Sequence, residues 1–201
     1  MNDLSNYWDR KWSQHHNQEP SLFAIKIIKE IKKRGLTSIL DIACGNGKDV
    51  KYFLKNNLEV TATDIAGECV KQLKKGIPNA KFLQKDTKNL DFKNESFDAV
   101  YAHLALHYFD DKDTTDIFNN IYRMLKNNGI FCLSCKSTND TLYGQGEKMG
   151  TDTFLNGHIR HFFSEKYMRT KLEKFKIIDI SEISGDYHGF NSTFIQAIVT
   201  K

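Results

Sequence analysis

From Ser38 to Ser134, short apolar runs of β type alternate with segments of helical period: SILDIA, KDVKYFLKNN, LEVTATD, GECVKQLKK, AKFLQKD, FDAVYAH, DTTDIFNNIYRMLKNN and GIFCLS. No other feature of the chain restricts its fold as much. Strands separated by helices pair in parallel through crossovers, and right-handed crossovers lay the helices on the sheet. The expected architecture is a doubly wound α/β domain, with a mostly parallel sheet and helices on both faces. FKIIDISEIS and NSTFIQAIVTK add two closing strands, and the GDYHGF between them is short enough for an antiparallel hairpin, bringing the sheet to seven strands. With 201 residues, 40% of them hydrophobic and 12% aromatic, the chain can bury a sizeable core, and one domain spanning 1–201 is expected.

The clearest helix runs from Asp113 to Asn128, with Ile117, Ile121, Met124 and Leu125 at core spacing and Gly129 as its C-cap. Residues 1–34 form an N-terminal cover and helix. In SLFAIKIIKEIKKRG, Ala24, Ile27, Ile28 and Ile31 share one side, with Lys26, Lys29, Lys33 and Arg34 solvated opposite and Gly35 at the end. After GIFCLS comes STNDTLYGQGEKMGTDTFLNGHIRHFF, a long irregular stretch, and its residues 138–163 read as a mobile lid. SEKYMRTKLEKF returns to helix.

The formal charge of +4 is a mild excess without a single-sign block, so nucleic acid is not indicated. There is no secretory signal pattern and no apolar run approaching the roughly 20 residues of a membrane helix, so a cytoplasmic location is expected. Cys44, Cys69, Cys132 and Cys135 are expected to stay reduced. Cys132 and Cys135 have C-x-x-C spacing, but on a strand such residues point to opposite faces and cannot readily share a metal. The histidines show no H-E-x-x-H spacing, and no metal site is expected.

The chemistry concentrates in SILDIACGNGKDV, where a strand ends in Asp41 and passes through a turn with Gly45 and Gly47 into a helix. Glycine lets a ligand approach the backbone, and free N–H groups point outward at a helix start. Asp64 ends LEVTATD, where nucleotide-binding α/β folds place a ribose-binding carboxylate, and Asp86 ends AKFLQKD. Ligands of open α/β sheets bind beyond the carboxyl ends of the strands, so the three carboxylates converge on one crevice. The loop lacks the third glycine of G-x-G-x-x-G and is flanked by Asp41 and Asp49, which suits a cationic ligand better than a diphosphate.

LDIACGNG, TATD, QKDT and FDAVYAHLALHYF resemble the successive nucleotide-site motifs of class I S-adenosylmethionine-dependent methyltransferases, a Rossmann-like family, across nearly the whole chain. Ala43 stands where that family usually has its first glycine. The resemblance implies that Asp41, Ala43, Cys44 and the Gly45 to Gly47 backbone hold the methionine part of S-adenosylmethionine, and that Asp64 with Ile65 takes the ribose. It further implies Asp86 and Thr87 at the adenine, and Ala102 and His103 beside the sulfonium. SNYWDRKW, GHIRHFF and NSTFIQAIV are similar to the tellurite-resistance and thiopurine-type small methyltransferases, which points to Tyr7, Trp8 and Trp12, and to Arg160 and His161, as covers of the pocket.

Methyl transfer from a sulfonium is an in-line displacement that asks the protein mainly to position the acceptor and exclude water. A neutral histidine near the methyl can remove an acceptor proton. His103 and His161 are the first candidates, with Arg160 as a fork for an anionic acceptor. His107 reads as packing under a turn, and His158 and His188 as surface residues. The N-terminal aromatics either close over the cofactor or staple a loose terminus to the domain. The expected function is methylation of a small-molecule acceptor. Two alternatives stand beside it: a non-catalytic S-adenosylmethionine-binding sensor or partner subunit, and an NAD-dependent oxidoreductase.

Overall fold

The computed structural model describes residues 2–12, 18–187 and 189–201; the sequence-derived reading of His188 falls outside them. Two helices, α1 (Asn2–Trp12) and α2 (Leu22–Lys33), lead into β1 (Ser38–Ile42), α3 (Lys48–Lys55), β2 (Glu59–Asp64), α4 (Gly67–Gly76), β3 (Lys81–Gln84) and β4 (Phe97–His103). Then follow α5 (Asp111–Met124), β5 (Leu125–Lys136), β6 (Glu147–Gly150), β7 (Thr153–Asn156), β8 (His158–His161), α6 (Glu165–Lys171), β9 (Lys176–Tyr187) and β10 (Phe190–Thr200). Local chemistry fixes the helix starts. Ser21, Asp110 and Ser164 each accept a backbone N–H from three residues on, at α2, α5 and α6.

The seven-stranded sheet runs β3-β2-β1-β4-β5-β10-β9. β1 to β5 are parallel, while β10 is antiparallel to both β5 and β9. Strand order therefore reverses between β1 and β4, the switch point beyond which open α/β sheets bind their ligands. One core holds Ile27, Ile31, Val50, Phe53, Val70 and Leu73 of α2, α3 and α4 on one face of the sheet. A second holds Ile117, Phe118, Ile121, Met168 and Leu172 of α5 and α6 on the other. Cys132 lies in the first core and Cys135 in the second, on opposite faces of β5 as strand geometry requires. Among the described residues, no helix is long and apolar enough to cross a membrane.

Two sequence expectations are corrected. The helix expected to run to Asn128 stops at Met124, because Leu125 turns extended and pairs with Phe97 as the first residue of β5. Gly129 is not a helix cap. It lies inside β5, where a side chain would meet the carbonyl oxygens of Lys126 and Asp98 at 2.8 and 2.9 Å. The stretch read as irregular, 138–163, instead carries a three-stranded antiparallel sheet, β6-β7-β8, turning at Asp152 and Gly157, both with positive φ. Tyr143, Phe154 and Phe162 pack edge-to-face beneath it.

Candidate active site at the carboxyl ends of the strands

Past the end of β1 the backbone takes positive φ at Ala43, Gly45 and Gly47 (55°, 53° and 72°). Ala43 thus adopts the left-handed conformation that a glycine adopts without strain. The loop is pinned to β2: Cys44 N–H donates to the Thr63 carbonyl at 2.9 Å, and Gly45 N–H to Asp64 Oδ2 at 2.8 Å. Asp64 also receives the Ala66 N–H at 2.9 Å, so the carboxylate orders the loop as well as facing the crevice.

Asp41 is 2% exposed, and among the described residues its Oδ2 has no hydrogen-bond partner. Burial, with Asp49 and Asp64 nearby, pushes its carboxyl well above the usual range; burial likewise raises Asp64, against the pull of its backbone N–H donors. The crevice thus concentrates acidic groups, and among the described residues no cation forms an ion pair with Asp41 or Asp64. Asp49 is different. Its oxygens accept from Ser21 N–H (2.7 Å), Ser21 Oγ–H (2.9 Å) and Tyr101 O–H (2.8 Å), joining the start of α2 to α3 and β4. Sequence placed it beside a cationic ligand; the structure gives its oxygens to protein donors.

The remaining sequence-derived positions separate. Asp86 caps the short 3-10 turn Thr87–Asn89 by accepting Lys88 N–H at 2.9 Å, and Thr87 is buried beneath it. The Ile65 carbonyl is taken by Ser5 Oγ–H at 2.9 Å and Gln84 Nε2–H at 3.2 Å. Ala102 is fully buried in the core under α5, leaving only its backbone to line a crevice. His103 is half-buried at the end of β4 near Phe23 and Tyr101; its Nδ1 has no partner among the described residues, and burial lowers its pKa to about 4.

The helix α1 lies across the loop. An atom at the Cβ position of Gly45 would come within 2.8 Å of the Trp12 ring, so only glycine admits the indole there. Asp9 accepts Cys69 N–H at 3.0 Å, and Trp8 stacks on Trp12 with centroids 6.0 Å apart. Trp8 also meets Tyr108 at 5.1 Å, and Tyr108 meets His158 at 4.9 Å. Tyr7, more exposed, completes the cover at 5.7 Å from His158.

Arg160 and His161 do not come together. Neighbours on β8 point to opposite faces. Arg160 turns toward the aromatic cover and donates to His158 Nε2 at 2.9 Å, whereas Glu165 pairs with Arg169. His161 is 3% exposed and packs on Phe163 and Tyr167 at ring distances of 5.1 and 4.5 Å, with its pKa lowered by burial. The pairing of Arg160 and His161 on one acceptor is thereby corrected. His107 is buried against Tyr108, as expected of a packing residue. His158, expected on the surface, is half-buried in the cover, and burial with Arg160 and Lys11 beside it lowers its pKa to about 4.

Residues 39–129, which carry the loop and both flanking strands, match the family described as a methyltransferase domain. The malonyl-[acyl-carrier protein] O-methyltransferase of Enterobacter lignolyticus is 26% identical over 121 residues, covering 60% of this chain and 47% of that protein. The chain spans about half the length of the first such curated relatives (47%, 45% and 51%). Among solved structures, a SAM-dependent methyltransferase from Methanosarcina mazei aligns with a TM-score of 0.74 at 22% identity, covering 82% of this chain and 92% of the other. The Burkholderia thailandensis 1,6-didemethyltoxoflavin-N1-methyltransferase, with 1,6-didemethyltoxoflavin and S-adenosylhomocysteine bound, aligns at 0.70 and 19% identity over 90% and 78% of the two chains. In the matched domain, the strand order and the glycine loop at its switch point, the chain is similar to the class I S-adenosylmethionine-dependent methyltransferases.

Proposed function

We propose that this chain binds S-adenosylmethionine in the crevice beyond β1, β2 and β4 and transfers its methyl group to a small-molecule acceptor, with 1–201 working as one unit. The observation that carries the reading is Asp41, a buried carboxylate with an oxygen that has no donor among the described residues, beneath a loop whose backbone is open to close approach. An ammonium group fits that oxygen, and a cation relieves the crowding of Asp41 with Asp64. When bound, the cofactor supplies a methyl already activated by its sulfonium.

The chain's own groups bind, orient and exclude water. Asp41 and the Gly45 to Gly47 backbone hold the amino-acid end. Asp64 retains lone pairs for ribose hydroxyls, and Asp86 uses one oxygen as a cap and keeps the other for an amino group. Tyr7, Trp8 and Trp12 close the crevice, which strengthens the electrostatics inside it. His103, neutral at physiological pH, stands at the end of β4 with a nitrogen that has no partner among the described residues, and serves to hold or take a proton near the reacting centre. The Burkholderia enzyme, which holds S-adenosylhomocysteine in the same fold, supports the cofactor assignment.

Calorimetry with S-adenosylmethionine, S-adenosylhomocysteine and NAD tests the reading: the first two bind and NAD does not. Binding of NAD alone overturns it in favour of a redox enzyme. Cofactor binding without turnover on thiols, amines, phenols, carboxylates and metalloid oxyanions leaves a sensor.

A further inference from the structure

Charge is divided across the aromatic cover. On the loop side lie Asp41 and Asp64. On the β8 side the charges are positive: Arg160, and Lys11 of α1, whose ammonium lies 5.0 Å from the Trp8 ring centroid. Arg160 is half-buried. A guanidinium only donates hydrogen bonds, so His158 Nε2 is the acceptor of their 2.9 Å contact, and the imidazole is neutral. Among the described residues, Arg160 has no other polar partner, and neither Arg160 nor Lys11 forms an ion pair with a carboxylate. The contrast with Lys136 is instructive: it lies in the same region, but its charge is answered by Asp140 at 2.7 Å. Lys11 is held below its usual pKa by burial and by Arg160, and His107 and His158 are lowered by burial and by the same guanidinium. Two like charges gathered under aromatic rings without a counter-charge form an anion site, because an anion converts mutual repulsion into attraction and engages the open guanidinium fork.

We propose that the methyl acceptor is a small molecule bearing an oxyanion, which Arg160 holds through its free N–H groups with Lys11 adding charge, against the wall formed by Trp8 and Tyr108. This rests on the methyltransferase reading of the adjoining crevice. His158 serves as a positioning residue: its ring nitrogen fixes one arm of the fork and so aims the others. The division of charge also orders the two ligands, with the cationic sulfonium on the acidic side and the anionic acceptor on the basic side.

The test is a tryptophan-fluorescence titration of the S-adenosylhomocysteine complex at low ionic strength with benzoate, acetate, phosphate and selenite, and with benzamide and acetamide as neutral counterparts. At least one oxyanion is expected to saturate while the amides do not. Arg160→Gln is expected to weaken that anion at least tenfold, Arg160→Lys to restore part of the loss, and Lys11→Gln to weaken it a few fold, all with unchanged S-adenosylhomocysteine affinity. The proposal is overturned if no anion saturates, if Arg160→Gln leaves anion affinity intact, or if Arg160→Gln removes S-adenosylhomocysteine binding, which places the guanidinium on the cofactor's own carboxylate. Should Arg160→Gln not fold, Lys11→Gln and Arg160→Lys carry the same comparison. Failure of wild type to bind S-adenosylhomocysteine overturns the methyltransferase reading and this inference with it.

Discussion

Asp41→Asn separates what the crevice costs from what it does. Among the described residues one oxygen of this buried carboxylate has no donor, and leaving such a group unsatisfied costs roughly 1–3 kcal/mol. The substitution keeps the shape and removes the charge, so at alkaline pH the free variant should be the more stable one. At about 2–4 °C per kcal/mol for a chain of this length, its melting temperature should rise by roughly 2–12 °C. The pH dependence has a definite sign. Asp41 has a folded-state pKa raised above its unfolded value, by burial first and by Asp49 and Asp64 next. Below the unfolded pKa both states are protonated. As pH rises toward the folded pKa, the folded state holds the extra proton and wild type loses stability, then levels off. The advantage of Asp41→Asn should therefore be small near pH 4 and grow upward. With S-adenosylhomocysteine the order inverts, since a ligand at about 1,000 times its Kd adds about 4.1 kcal/mol to wild type. Differential scanning fluorimetry across pH, with and without S-adenosylhomocysteine, reads both effects. A variant less stable than wild type at every pH without ligand would refute the reasoning, because it would mean that Asp41 already has a favourable partner.

Gly45→Ala forces a side chain at φ 53°, a left-handed strain of roughly 1–2 kcal/mol, and drives its Cβ into the Trp12 indole. A red shift of the Trp12 emission in a Trp8→Phe background is expected, and unchanged emission means that α1 does not rest on the loop. Asp64→Ala should weaken S-adenosylhomocysteine by about 1.5–3 kcal/mol per lost ribose hydrogen bond, read by calorimetry, and unaltered affinity removes it from the site. His161→Ala empties a ring packed on Phe163 and Tyr167, so it should lower the melting temperature while the single-turnover rate per folded molecule stays near wild type. A loss on the order of a hundredfold in that rate restores His161 as a base.

The sheet was legible because periodicity is a local signal: every strand of the main sheet was read to within a few residues, and the reversal at β1 follows from the crossover rule. Gly129 misled because the same residue ends helices and permits close strand contact, and only the Phe97 to Leu125 pairing decides between them. The three-stranded sheet did carry a sign. Asn156-Gly157 is a strong short-range hairpin signal, but it lies between strands of four residues, too brief for alternation to show. That Asp41 and Asp64 lie at the carboxyl ends of β1 and β2 was readable from the strand pattern. His158 was not, since nothing local announces that a helix more than a hundred residues away will bury it with Trp8 and Tyr7. Asp49 failed for the converse reason: its partners Ser21 and Tyr101 are distant in sequence.

The way α1 is fastened has a kinetic consequence. Ser5, Asp9 and Trp12 rest on Ile65, Cys69 and the glycine loop, so one rigid rod makes three contacts at once. On the proposed function, exchange of spent cofactor for fresh is expected to require detachment of that rod, with a dwell time set by its three fastenings as well as by the nucleotide's own grip. Substitutions at Ser5 and Asp9, whose hydrogen bonds hold α1 to Ile65 and Cys69, are then expected to change the rate of that exchange.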